Sequence, residues 1–365
     1  MSRFYYYLIF LNMTVNVVAF VPNVLLQQRF IGAVPSMVIA LIVGTINAAI
    51  FGFCINRFPG EGLPEILNRY VKPWIRTLFL LLMGVTWFIA GIITILIFVD
   101  VSKQYINPEM PEWTFLFIFL AFVVLCAKMP SIKVLYLLEL LLILNLPLVA
   151  IIFLKVYTHP YFSWDAVKEV GTHALTIPAW DSFTVALYTF AGYLNMVIFA
   201  RVMKDQFQFK RGWIIGSVAF VNLFTTFFIP IGLLGTEAVG HARYPWVMTA
   251  DTIRFDLSPI ERGIGLFLLL YVSISLTSAL IHWHVGLELM KGAVNVKKYK
   301  AKAQRIIPWM VTLLFCGVTF AINELLFQSQ IRSFSIVWYT IRLFGEFLLI
   351  FLLGYCAWRR GHEGV

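Results

Sequence analysis

Long apolar runs separated by short polar connections dominate the chain. They fall at 4–26, 33–55, 77–101, 113–128, 132–155, 182–203, 212–238, 263–290, 307–328 and 334–357. About 20 apolar residues, rising 1.5 Å each in a helix, cross the roughly 30 Å hydrocarbon core of a bilayer. The pattern therefore predicts ten transmembrane helices, the run at 113–128 being the shortest. Two connections predict short helices of their own. One is the amphipathic segment Leu63-Pro64-Glu65-Ile66-Leu67 after the Phe58-Pro59-Gly60 turn, and the other is Val247 to Phe255 after Tyr244-Pro245. No small-residue cleavage site follows the first run, which reads as a retained span.

Two runs are interrupted in a way that carries information. The first contains Asn12, Thr14, Asn16 and Pro22. Pro22 has no amide hydrogen, so the carbonyl of Val18 loses its helical partner. Asn12 and Asn16, four apart, share one face and place amides near that weak point, where hydrocarbon cannot solvate them. The sixth run is interrupted by Gly192 and Asn195 within Tyr188-Thr189-Phe190-Ala191-Gly192-Tyr193-Leu194-Asn195. Glycine lets a backbone leave helical geometry and lets another group approach closely. The polar connection from Tyr157 to Asp181 divides the chain into five spans before and five after, of opposite orientation. The expectation is one all-α integral membrane domain over 1–365, built from inverted five-helix repeats (about 4–155 and 182–357) with helices 1 and 6 broken. Matching breaks in the two halves point to a midplane site.

Composition and charge agree with this reading. Of 365 residues, 61% are hydrophobic and 13% charged, against about 25% charged in a soluble domain. Lys and Arg are unevenly placed: nineteen lie in both tails and the even connections, eight on the opposite side, and Arg342 lies within the last span. The positive-inside rule then places both termini in the cytoplasm. Topology accounts for the net charge of +10, and no segment is long enough to build a soluble nucleic-acid-binding surface. Cys54, Cys126, Cys316 and Cys356 lie in or at the ends of apolar runs, without metal or disulfide spacing. His282 and His284, about 200° apart around a helix, cannot chelate one metal together. No nucleophile elbow, phosphate loop or zincin motif appears, so neither catalysis nor a cofactor is expected.

The candidate chemistry lies inside the spans. Glu139 in the fifth run is a candidate for a proton or hydration pathway, since an intramembrane carboxyl faces a partner or water; pairing with a base such as Lys133 is the alternative. Asp100 ends the third span near solvent. Arg342 and Glu346, four apart in the last span, are predicted to pair. Asn12, Thr14 and Asn16, with Gly192, Tyr193 and Asn195, would enclose a ligand cavity, and Thr277 and Ser278 of the eighth span would complete one wall.

The ten spans, the broken first span, the Gly-interrupted sixth and the paired halves resemble the amino acid/polyamine/organocation transporter superfamily. Four local words narrow the likeness: Phe20-Val21-Pro22; Arg57-Phe58-Pro59-Gly60 followed by Glu65-Ile66; Phe190-x-Gly192-Tyr193; and Tyr244-Pro245 followed by Glu261-Arg262. In this order and spacing they resemble the spore germination receptor B subunits, the GerAB/GerKB family, over essentially the whole chain. The resemblance implies a nutrient germinant receptor subunit in the inner membrane of a bacterial endospore. It would bind a small germinant, commonly an amino acid, beside a larger A subunit and a C lipoprotein. The Thr277-Ser278 pair resembles hydroxyl pairs that serve sodium sites in related transporters. Two positions depart from the family pattern: Val15 and Val17 flank Asn16 where relatives carry glycines, and Leu194 follows the Gly-aromatic pair where relatives often carry an acid. Recognition of a zwitterion through the amides of Asn12 and Asn16, or of a neutral ligand such as a sugar or nucleoside, both stay open. So do a proton-coupled amino acid permease and a ligand-gated water or ion pathway.

Overall fold

A computed structural model describes residues 3–17, 20–203, 212–257, 260–296 and 300–362. Val18, Lys204, Lys210, Arg211, Lys297 and Lys298, used in the sequence reading, lie outside them. Among the described residues, seven helices are long and apolar enough to cross a membrane: α3 (Ala33–Ile55), α5 (Pro73–Tyr105), α7 (Ser131–Tyr157), α11 (Trp213–Leu234), α14 (Gly263–Val294), α15 (Ala301–Leu325) and α16 (Gln328–His362). Two bent pairs add the first and sixth spans. Helices α1 (Arg3–Val15) and α2 (Phe20–Gln27) meet at 57°, and α9 (Trp180–Tyr188) meets the segment Ala191–Val202 at 53°. That segment is a 3₁₀ turn (Ala191–Asn195), one α-helical turn, α10 (Met196–Phe199), and a second 3₁₀ turn (Ala200–Val202). The protein is an all-α membrane protein in its spans.

The fourth apolar run forms α6 (Glu112–Ala127), which at 16 residues is shorter than a typical span. Each of its ends is tied to a neighbouring helix. Lys103, near the end of α5, pairs with Glu112 at 3.1 Å. At the other end, the Ala127 carbonyl bonds to the ring of His284, near the far end of α14, at 2.8 Å.

The connections carry α4 (Leu63–Tyr70), α8 (Trp164–Gly171), α12 (Thr236–His241) and α13 (Pro245–Thr252). The first is amphipathic as expected: Leu63, Ile66 and Leu67 are buried, while Asn68 and Arg69 are exposed. Its Glu65 carboxylate accepts the Gly62 amide at 3.1 Å, satisfying a free N-terminal donor. The second predicted helix stops at Thr252. Beyond it, Arg254–Leu257 (β1) pairs antiparallel with Ile260–Arg262 (β2), where the sequence reading had extended the helix to Phe255. The intervening Ser258-Pro259 is a turn dipeptide, and with β-formers on either side a hairpin satisfies these backbones more easily than a helix does.

Small residues and proline-freed carbonyls set the packing. Helices α5 and α14 approach closely, because a Cβ on Gly286 would lie 3.0 Å from the Gly84 carbonyl and one on Gly91 would enter the Trp283 ring. In α11, Pro230 offers no amide to the Thr226 carbonyl four residues back. The indole of Trp246 in α13 donates to that carbonyl instead, at 2.9 Å, and so clamps the surface helix onto the span. Asp100, expected near solvent, is buried within α5, which continues to Tyr105. It accepts the Tyr244 hydroxyl and pairs with Arg243 at 2.7 Å, pinning the α12–α13 connection. A carboxylate with two partners of this strength can stay buried.

Candidate functional site at the broken spans

Each break is held by side-chain amides. At the end of α1, the Asn16 side-chain amide donates to the Asn12 carbonyl at 2.7 Å, beside the helical bond that the Asn16 backbone N–H makes to the same carbonyl at 3.3 Å. The Asn12 amide reaches across to the sixth span and donates to the carbonyls of Tyr188, at 2.6 Å, and Thr189, at 3.2 Å. Those carbonyls lie at the end of α9, where the turn changes to 3₁₀ geometry and helical donors run out. One asparagine thus ties the two breaks together. Its other side-chain atom, Oδ1, is buried and has no hydrogen-bond donor among the described residues.

The remaining predicted residues separate into distinct settings. Gly192 packs directly on α1: a Cβ there would lie 2.1 Å from the Leu8 carbonyl and 2.7 Å from the Ile9 Cα. Asn195 accepts the Trp87 indole N–H at 2.7 Å and donates to the Gly192 carbonyl at 3.1 Å, so it links α5 to the break. Tyr193 is fully buried and donates its hydroxyl to Glu346 of α16. Thr14 donates to the Phe10 carbonyl at 2.7 Å and lines a separate apolar cavity of about 270 Å³ with Phe153, Trp246 and Leu270. Thr277 donates to Ser273 of its own helix at 2.7 Å, and Ser278 lies 3.3 Å from the His282 ring. Glu139 is apart from all of these, in the half of α7 nearer Ser131, where it pairs with Arg3 rather than Lys133, at 2.9 Å. The structure brings Asn12 against the sixth-span break, while Thr14 lines the apolar cavity and Asn195 a second, smaller one that also holds Arg342 and Glu346.

The smaller cavity holds what the sequence reading placed elsewhere. Arg342 and Glu346 pair at 2.8 Å as their spacing predicted, with side chains 5% and 0% exposed. Glu346 also accepts from Tyr193 and, at 3.2 Å, from the Asn47 amide of α3. The guanidinium of Arg342 lies 5.0 Å from the Tyr188 ring centre, and none of its three nitrogens has a well-directed hydrogen-bond acceptor. Five N–H donors in a low-dielectric setting are costly to leave unused. They border a cavity of about 30 Å³, lined also by Trp87, Ala191, Asn195 and His282. One water needs roughly 10–15 Å³ measured this way, so the cavity holds about two. A carboxylate thus stands beside the break residue Tyr193, from another helix.

A family model described as spore germination protein matches residues 5–329. The chain belongs to the spore germination protein family. No curated protein matches it. Membership makes it a multi-pass membrane protein of the germination permease type, in agreement with the bent first and sixth spans.

Proposed function

We propose that this chain is the membrane subunit of a nutrient germinant receptor, which binds a small germinant at the sixth-span break and signals by moving it. The observation that carries the reading is the cavity beside Ala191 and Asn195, where a buried guanidinium touches one carboxylate without a well-directed hydrogen bond and that carboxylate is held by the break residue Tyr193. A ligand bearing both an anionic and a cationic group answers both without adding net charge to the membrane interior. A simple anion would sit beside Glu346 uncompensated, and a neutral sugar would leave the charges as they are. The germinant is therefore a zwitterion, an amino acid. Room for about two waters is too small for it, so binding must part Arg342 from Glu346 and shift Tyr193 with the break. Differential affinity of this kind moves a two-state equilibrium.

In this reading the two five-span halves are the inverted repeats of a transporter fold, with Asn12 joining their broken helices. Both termini are cytoplasmic, the membrane is the spore inner membrane, and the movement is read by a larger A subunit and a C lipoprotein. The test is genetic and chemical together. Spores lacking this chain should lose the response to one set of amino acids and keep responses served by other receptors, and an affinity-tagged copy should co-purify an A subunit and a lipoprotein. A normal response in the deletion strain, together with amino acid uptake by growing cells that depends on this chain, would make it a permease instead.

A further inference from the structure

A polar cavity of about 760 Å³ opens on the face of the bundle that carries Arg3 and Arg360, beneath the end of the sixth span. Two carboxylates line it, Glu65 of α4 and Glu288 of α14. Both are taken: Arg201, at the end of the sixth span, bridges them at 2.9 and 2.7 Å, and Lys291 also pairs with Glu288. These four charges cancel. Two more cations line the same cavity, and neither pairs with a carboxylate of the described residues. Among the described residues, Arg76 at the start of α5 bonds only to the neutral Asn68 side chain, and its Nε has no acceptor. Lys128, between α6 and α7, has an amine shielded from solvent, with no hydrogen-bond acceptor among the described residues, lying against the Trp309 ring and near Cys316.

We infer that this cavity is a binding site for a phosphate group, held between Arg76 and Lys128. Two cations on a concave wall focus positive potential into it. A guanidinium and an ammonium together match a group with several acceptor oxygens and about two negative charges. The volume falls within the range of small-molecule sites, roughly 300–1,000 Å³. An occupant would tie the start of α5 and the α6–α7 junction to the wall formed by Arg201, and so brace the end of the sixth span. This inference is independent of the germinant reading.

The probe is inorganic phosphate, added to the full-length protein in a phosphate-free maltoside detergent at constant ionic strength, with thermal unfolding followed by tryptophan fluorescence. Phosphate should raise the midpoint saturably where chloride does not. Arg76→Gln and Lys128→Gln should each weaken the apparent affinity at least tenfold, while Lys168→Gln on the opposite face leaves it unchanged. Adding phosphatidylglycerol separates the sources: loss of the phosphate response identifies a lipid headgroup as occupant, and its persistence a soluble phosphate compound. No saturable response in the parent protein, or an equal response in both Gln variants, overturns the inference. The parent's own titration decides even where a variant fails to fold.

Discussion

Replacing Arg342 and Glu346 singly and together separates what the pair does for stability from what it does for recognition. Their side chains are 5% and 0% exposed, so either one alone becomes an unpaired charge inside the bundle. Breaking such a pair by removing one member costs about 3–5 kcal/mol, whereas replacing both by apolar groups of similar volume is often neutral or stabilising by about 1–4 kcal/mol. Here the double replacement also removes the acceptor of Tyr193 and Asn47, a loss of about 1–3 kcal/mol for each donor left buried. We therefore expect Arg342→Met and Glu346→Leu each to lose about 3–5 kcal/mol, and the double variant to lose clearly less than the sum of the two. Reversible unfolding in mixed micelles, titrated with dodecyl sulfate and followed by tryptophan fluorescence, measures this. The folded double variant, brought to parental abundance in spores, should still fail to respond to the germinant. Single variants within about 1 kcal/mol of the parent would refute the buried pair. A normal dose-response in the double variant would refute its part in recognition.

Gly192→Ala forces a Cβ to within 2.1 Å of the Leu8 carbonyl, so α1 must retreat by about 1 Å; overpacking of this kind costs about 1–3 kcal/mol and should blunt the germinant response, read by unfolding and by spore dose-response curves. Asn12→Leu strands the Tyr188 and Thr189 carbonyls at about 1–3 kcal/mol and should increase hydrogen exchange at the break, whereas unchanged exchange would mean the breaks are not joined there. Burial and the adjacent Asp100 push the Tyr244 phenol well above its ordinary 10.0, so its contribution is complete below about pH 10 and declines as pH rises beyond it. Tyr244→Phe should be less stable by about 1.5–3 kcal/mol at neutral pH, with a shallower alkaline decline than the parent. A cysteine at Lys168, whose side chain is 75% exposed on α8, should react with an impermeant maleimide in intact protoplasts; labelling only after permeabilisation would reverse the topology.

Most of the fold was legible because a bilayer imposes a strict grammar of length and hydropathy. Even α6 appears close to its expected bounds, and the breaks lie where Asn16 and Gly192 had marked them. The hairpin at Arg254–Arg262 was not, since strands of four and three residues leave little periodicity to read. The site was legible in its pieces rather than in its assembly. Asn12 was singled out correctly as an amide near a weak point, but periodicity could not say that its acceptors are the carbonyls of the other break. Gly192 carried the expected signal of a close approach; the approaching group is the α1 backbone. The contact of Tyr193 with Glu346 spans 153 residues, and Asn47, buried in α3, looked like any polar residue in an apolar run. Asp100 was misplaced because its partners, Arg243 and Tyr244, come from a distant connection.

The central claim is that a zwitterion enters between Arg342 and Glu346 at the sixth-span break, and equilibrium binding measures that most directly. The full-length chain, reconstituted in lipid nanodiscs, is titrated calorimetrically with free amino acids, with the same amino acids amidated at the carboxyl group or acetylated at the amine, and with a neutral sugar. The account predicts saturable binding of one or more free amino acids, loss of at least tenfold in affinity for either blocked form, and no binding to the folded Arg342→Met/Glu346→Leu variant. Equal affinity for free and blocked forms, or undiminished binding by that variant, would contradict it.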